Sequence, residues 1–415
     1  MFTIVYPKRS VKAAMYPALS LQYLFLQKGI KLPLVTQSTE NTAEVVVCES
    51  DTLAQGSFTV KTEGEKLFVC AADVFGFIAA SDYLTQELFA NATEATLPNV
   101  SHTGVYTGEM LTQKTAAHRV MYHNIWSYDQ TAIPRHYGTR GAAFEIAEMM
   151  AFRPDVFGLT EFVDEWRSKT DIIEQLTAIG YREVTPPEIN RLMINPLFYN
   201  THTVRYVEGS CHMAFYGSLN EDENKYAFLK NGSYYNDTPS RYRGVLAAVF
   251  EDIATGKRFG AAVTHLVPNA YSVNKLPTDG DPWRTEEVSK LIPFLKKMSE
   301  EYGVPFMIGG DYNSPETLAA CILLEAADFK NARKTAENAN DVCSCHGYPV
   351  WCGELDNFVD YKCPGIERGE YLKHDRSIDH IYLLGSIAPK TYRVLHEKTI
   401  LCSSDHSPVM LDFDL

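Results

Sequence analysis

The chain has 415 residues, 45% hydrophobic and 22% charged, with a net charge of −14. That length exceeds one ordinary core, so two domains are expected, and the apolar content excludes a disordered polymer. No apolar run approaches the ~20 residues of a membrane span, and the acidity opposes binding to a polyanion except through a local basic groove.

The first strand is expected at 2–6. It lacks the apolar core of a secretion signal, which suggests a cytoplasmic protein, or a secreted one whose signal has been removed. Nine cysteines are an odd count, which disfavours a complete disulfide framework and fits a reducing compartment. Residues 16–27 carry Ala18, Leu21, Leu24 and Phe25 at helical spacing, with Pro17 suited to a first turn and Gly29 to a stop. Strands are expected at 43–47, 56–62 and 66–71, then a helix at 76–89. This β-α-β-β-β-α order predicts a small sheet covered by two helices, a unit spanning 1–112. It resembles the accessory α/β domain ahead of the catalytic domain in glycoside hydrolases such as hexosaminidases and α-glucuronidases, through residues 16–33 and 58–89. The resemblance brings no catalytic residue and implies a structural or docking role.

Residues 91–116 are polar and turn-rich and read as a linker. Up to residue 115 there are 8 basic and 11 acidic side chains, net −3, which leaves −11 for the remainder. From there strands are expected at 119–125, 156–159, 191–199, 245–250, 258–264, 306–308, 380–384 and 409–413, and helices at 141–151 and 285–302. The alternation predicts a second α/β domain over 117–415.

Several of these strands end in polar or acidic residues: Asn124, Glu161, His265, Gly310-Asp311-Tyr312-Asn313 and Ser404-Asp405-His406, with Asp379 directly before another. A sheet delivers reactive groups in this way, at the crevice beyond its strand ends. Oxygen donors dominate and cysteine is absent, which favours Mg2+ or Mn2+ over zinc. Taken singly, each signal has a plainer reading. Asp311 and Asn313 suit a turn, and His265 could be a core histidine. His380 fits packing better than catalysis, and His123 should face away from Asn124.

The ordered series Asn124, Glu161, His265, Asp311-Tyr312-Asn313, Asp379 and Ser404-Asp405-His406 resembles the endonuclease/exonuclease/phosphatase superfamily of metal-dependent phosphoesterases, over roughly residues 117–415. Leu197-Phe198-Tyr199-Asn200, and 234–239 followed by Arg243-Gly244-Val245-Leu246, add to it. The resemblance implies a four-layer α/β sandwich, two packed sheets flanked by helices. It implies Glu161 as principal metal ligand, helped by Asn124 and Asp405. Asp311 would activate the water, and Asn313 would hold that water and a phosphate oxygen. His406, paired with Asp379, and His265 would contact the phosphate, and Arg243 and Tyr235 would lie on the substrate side. Trp126 stands where some family nucleases carry an acid two residues after the first Asn, which weighs against an apurinic-endonuclease reading.

Cys343, Cys345, His346, Cys352 and Cys363 have the count for a zinc site, but their spacing fits no common template, so free thiols are expected. Pro349-Val350-Trp351-Cys352 echoes the inositol 5-phosphatase signature, yet Gly353-Glu354 follow where that signature has Asp-Arg. The aromatics of 206–242 could stack bases or sugars, and strands use such residues equally. The expectation is a Mg2+-dependent hydrolase of a small, lipid-linked or sugar-linked phosphate ester. A nuclease or deadenylase-like enzyme is the enzymatic alternative, and a non-catalytic binding protein of the same fold is the other.

Overall fold

Apolar residues alternate faces along the central strands, and in this chain both faces are buried. The computed structural model describes residues 1–7, 14–39, 42–107, 113–126, 152–170, 172–184, 195–216, 219–220, 225–226, 244–268, 270–271, 277–278, 281–340, 342–345, 377–395, 404 and 406–415. One sheet runs in the order Asn338–Ala339, Ala388–Val394, Val409–Asp414, His118–Asn124, Val156–Thr160, Leu197–Asn200 and Tyr181–Glu183. The second runs Val204–Tyr206, Gly244–Asp252, Arg258–His265, Phe306–Asp311, Asp379–Leu384 and Lys330–Asn331, with His212–Phe215 also paired to Gly244–Asp252.

Val120, Tyr122, Leu411 and Phe413 of the first sheet meet Leu246, Ala248, Ala261, Val263 and Met307 of the second in one core. Their neighbours point outward. Met121, Phe157, Leu159 and Met410 pack under Trp166, Ile172 and Leu176. Val245, Ala247, Ala262 and Ile308 pack under Val288, Leu291 and Leu295 of the helix Asp281–Tyr302 and under Leu324 of Ala319–Ala326. The order helix, sheet, sheet, helix is the expected four-layer sandwich. The central strands, such as His118–Asn124, Val156–Thr160 and Phe306–Asp311, are buried on both sides, so continuous apolar runs are tolerated there. Spacing between the sheets is set partly by Tyr122, because a Cβ on Gly309 would lie 2.1 Å from its ring.

The N-terminal sheet is six-stranded, in the order Leu34–Val35, Thr3–Val5, Glu44–Glu49, Lys66–Ala71, Ser57–Glu63 and Ser101–Val105. The helices Met15–Gln27 and Val74–Asp82 close its core, and the second continues as a π-helical turn over Tyr83–Leu88. Two findings depart from the sequence reading. Ser101–Val105, inside the expected linker, pairs antiparallel with Ser57–Glu63 as an edge strand. Its exposed, polar alternation carries little apolar signal. Cys48 and Cys70, opposite one another on adjacent parallel strands, form a disulfide, whereas the odd cysteine count had suggested a reducing compartment.

The helix Val74–Asp82 is apolar on both sides. Phe77 and Ala80 face the N-terminal sheet, while Val74, Phe75 and Ile78 enter the outer core of the sandwich beside Ile125 and Trp126. The predicted helix at 141–151 lies outside the described residues. No helix among the described residues is long and apolar enough to cross a membrane.

Candidate active site

Strand parity puts the polar residues in one place. Asn124 shares a face with Val120 and Tyr122, His265 with Ala261 and Val263, Asp311 with Met307, and Asp379 with Ile381. All four therefore open onto the mouth of the inter-sheet core. Register aligns three of them side by side, His265 opposite Asp311 and Asp311 opposite Asp379. Glu161 has the other parity, one residue past the strand Val156–Thr160. A left-handed backbone (φ +61) turns it back, and its Oε1 lies 3.3 Å from Asn124 Nδ2. Positive φ at a non-glycine residue is uncommon and persists only where the surroundings enforce it.

Asp311 is at the centre. Its Oδ1 accepts from the Asn313 backbone N–H at 2.7 Å, and its Oδ2 accepts from Asn124 Nδ2 at 3.0 Å. His265 Nε2 lies 3.3 Å from Oδ2 and His406 Nε2 lies 3.9 Å away. Burial first, and then the Asp379 carboxylate, push the Asp311 carboxyl up to about 7, against the opposing influence of His406 and the two hydrogen bonds. Glycine is obligatory just before it. Gly310 has φ +133, and a Cβ there would stand 2.0 Å from the Thr264 carbonyl. Asn313 is also left-handed (φ 49), and its amide Nδ2 donates to the Leu266 carbonyl at 3.0 Å beside His265 Nε2, also at 3.0 Å.

His406 Nδ1 is 2.8 Å from Asp379 Oδ2, a contact that fixes the ring and directs Nε2 towards Asp311. Ser404 belongs to the same corner, since its hydroxyl donates to the Asn124 carbonyl. His123 turns from Asn124, as its parity requires, and its Nε2 meets the His406 carbonyl at 3.1 Å. His380 packs between Tyr312 and Tyr382 with Nε2 2.8 Å from the Ser314 carbonyl, so its role is to support the loop.

Glu161 and Asp311 bring carboxylate oxygens together with no thiolate among them, which suits a hard divalent cation. Asn124 presents its Nδ2 to both and its Oδ1 to the Trp126 N–H at 3.0 Å, so ligation through its oxygen requires the amide to turn. Asp311, Asp379 and His406 also place donor atoms within 4.8 Å of one another. With His406 Nδ1 engaged by Asp379, that trio reads better as a hydrogen-bonded relay than as a cage for an ion. Asp405, Arg243 and Tyr235 lie outside the described residues, as do His346, Cys352 and Cys363. Cys343 is buried and Cys345 half-buried.

Several supporting groups escaped the sequence reading. Ser344 Oγ accepts from the backbone N–H of Ile378 at 3.1 Å and of Asp379 at 2.9 Å, while Ser344 O accepts from Ser407 N at 2.6 Å, so one residue ties Asp379 to the His406 segment. Glu287 and Arg284, both buried, clamp Val267 from the helix. Glu287 Oε2 accepts from the Val267 N–H at 2.8 Å, and Arg284 Nη1 donates to its carbonyl at 3.1 Å. Charged residues at buried positions of an amphipathic helix were the available signal.

No family model and no curated protein matches the sequence. Solved structures do match it in fold. An endonuclease/exonuclease/phosphatase from Bacteroides vulgatus is 18% identical with a TM-score of 0.50, over 72% of this chain and 98% of that one. A mannosyl-6-phosphatase from Bacteroides thetaiotaomicron is 17% identical with a TM-score of 0.51, over 72% and 99%. An endonuclease/exonuclease/phosphatase family protein from the same organism is 19% identical with a TM-score of 0.50, over 73% and 100%. With its two packed sheets between helices, the chain has the fold of the endonuclease/exonuclease/phosphatase superfamily.

Proposed function

We propose that the protein is a Mg2+- or Mn2+-dependent phosphoesterase that cleaves a phosphomonoester or phosphodiester by in-line attack of water. The observation that carries this reading is the meeting of Asn124, Glu161, His265, Asp311, Asn313, Asp379 and His406 at one mouth of the sandwich. Glu161 and Asn124, with Asp405, would hold the cation, which when bound neutralises phosphate charge and polarises the phosphorus–oxygen bond.

Asp311 accepts the proton of the attacking water, and a carboxyl held near neutrality is matched to that task. Asn313 supplies an amide to the water and to a phosphate oxygen. His406, oriented by Asp379, and His265 donate to the non-bridging oxygens as their charge grows. Arg243 and Tyr235 complete the substrate side. Residues 1–112 form the accessory domain and 117–415 the catalytic one.

The net charge of −14 and the likeness in fold to a mannosyl-6-phosphatase favour a small, sugar-linked ester over nucleic acid. A screen supplemented with Mg2+ or Mn2+ tests this, comparing nitrophenyl phosphate, bis-(nitrophenyl) phosphate, mannose 6-phosphate, inositol phosphates, sphingomyelin and oligonucleotides, with His406→Ala as control. Turnover of a sugar phosphate that falls roughly 10²-fold in the variant is expected. Cleavage confined to oligonucleotides and falling steeply with salt would replace the substrate assignment with a nuclease. Failure on every ester would remove the enzymatic reading.

A further inference from the structure

The strands that deliver Asn124 and Glu161 are parallel neighbours, and the chain leaves each through a left-handed residue. On the first this is Trp126 (φ 63), two residues past Asn124; on the second it is Glu161 itself (φ 61). Two such turns side by side, neither built on glycine, need surroundings that hold them.

That support is a circuit of hydrogen bonds centred on Trp166, in the short helix Asp164–Lys169. The Glu161 carbonyl accepts from the Val163 N–H at 2.8 Å, and the Val163 carbonyl accepts from the Trp166 backbone N–H at 3.0 Å. The Trp166 indole then crosses to the other strand end, where Nε1–H donates to the Trp126 carbonyl at 3.1 Å. Trp126 N–H donates to Asn124 Oδ1 at 3.0 Å, and Asn124 Nδ2 returns to Glu161 Oε1 at 3.3 Å. Trp166 is wholly buried and Trp126 nearly so.

The short helix is itself pinned. Arg167 Nη1 and Nη2 pair with the two carboxylate oxygens of Glu183 on the edge strand, each at 2.6 Å, and its guanidinium lies 4.7 Å from the Phe162 ring centroid. A two-pronged pair of this kind fixes orientation as well as charge. Val74, Phe75 and Ile78 of the N-terminal helix belong to the same buried cluster as Trp126 and Trp166. Packing alone would be served by any large apolar side chain at 166, whereas only the indole N–H joins the two turns.

We propose that Trp166 is a positioning residue for the cation site, bracketing the Asn124 and Glu161 turns so that their side chains meet one ion. This role rests on Glu161 and Asn124 as cation ligands. When the Asn124 amide turns to present its oxygen, its bonds to Trp126 N–H and Glu161 Oε1 are given up. The rest of the circuit, from Glu161 through Val163 and Trp166 to the Trp126 carbonyl, does not involve that amide and stays closed. The bracket therefore holds both turns with the amide in either orientation.

The test is calorimetric titration of Mn2+ into the full chain as wild type, Trp166→Phe, Leu176→Ala and Glu161→Gln. Trp166→Phe keeps an aromatic ring in the cluster and removes the donor, whereas Leu176→Ala opens the same cluster and keeps the bond. Mn2+ affinity should fall roughly tenfold in Trp166→Phe and by no more than about twofold in Leu176→Ala, although both variants melt lower than wild type. Weakened binding in Glu161→Gln with wild-type affinity in Trp166→Phe overturns the proposal and leaves the ligand reading standing. Wild-type affinity in Glu161→Gln, or no binding by wild type, removes the ligand reading and the proposal with it. Equal weakening by Leu176→Ala and Trp166→Phe overturns the proposal, because general loosening would then account for both. Hydrogen exchange of the Trp166 indole N–H, followed by NMR, tests the same point in wild type alone. A bond that raises ion affinity is strengthened by the ion to the same degree, so saturating Mg2+ should slow that exchange roughly tenfold. Exchange indifferent to Mg2+ overturns the proposal.

Discussion

Glu44 in the N-terminal sheet and Asp311 in the sandwich are both carboxylates shut away from water, and their surroundings treat them in opposite ways. Burial would raise the Glu44 carboxyl, but the hydroxyl of Ser38, the Thr39 backbone N–H at 2.6 Å, Lys66 Nζ at 2.9 Å and the Thr39 hydroxyl outweigh it and hold the group at about 2. Asp311 receives two hydrogen bonds but shares its pocket with Asp379 and is pushed up to about 7. One carboxylate is fully matched and fastens the start of an interior strand. The other is left under-compensated next to a second acid, the arrangement expected where a cation and a proton are to be handled.

Replacing Asp311 breaks that contrast most strongly. Asp311→Asn should lower kcat/KM by roughly 10³-fold, within the range for loss of a general base, as measured on the best ester of the substrate screen. His406→Ala should cost roughly 10²-fold, and Asp379→Asn less, since the imidazole survives without its orienting partner. Glu44→Gln should leave turnover unchanged and destabilise the fold by about 1–3 kcal/mol in denaturant titration, because charge-assisted bonds from Lys66 and Thr39 are lost.

The pH dependences have opposite signs. The folded pKa of Glu44 is depressed, so its stabilisation is present above the unfolded value near 4.5 and is lost as pH falls towards 2. The folded pKa of Asp311 is raised in the ion-free protein. Its contribution is therefore favourable below the unfolded value near 3.8 and is lost as pH rises through about 7. In chelator above pH 7, Asp311→Asn should accordingly melt a few degrees higher than wild type. The smallest expected effect is that saturating Mg2+ moves the acid limb of the pH–rate profile to lower pH than limiting Mg2+ does.

The sandwich and the row of site residues were legible because both follow from local pattern. Period-2 alternation marks strands such as His118–Asn124, and polar residues punctuate their ends. Asn124, His265, Asp311 and Asp379 share the parity of the inter-sheet core, so once the strands are placed their convergence follows. Glu161 was identified by its motif, although parity alone would have turned it away. Only its positive φ, invisible in sequence, brings it back.

The groups that remained hidden depend on contacts across long stretches of chain. Ser344 is 35 residues from Asp379 and meets it only through the tertiary fold. Glu287 and Arg284 look like exposed helix charges until Val267 is packed beneath them. The Cys48–Cys70 bridge joins neighbouring parallel strands whose pairing no cysteine count could reveal.

The most direct test of the central claim is the rate of phosphate release from a sugar phosphate in Mg2+ by wild type and by Asp311→Asn. Turnover that depends on the ion and falls roughly 10³-fold in the variant is the predicted result. Turnover within tenfold of wild type in the variant would contradict the assignment of Asp311 as the group that activates water.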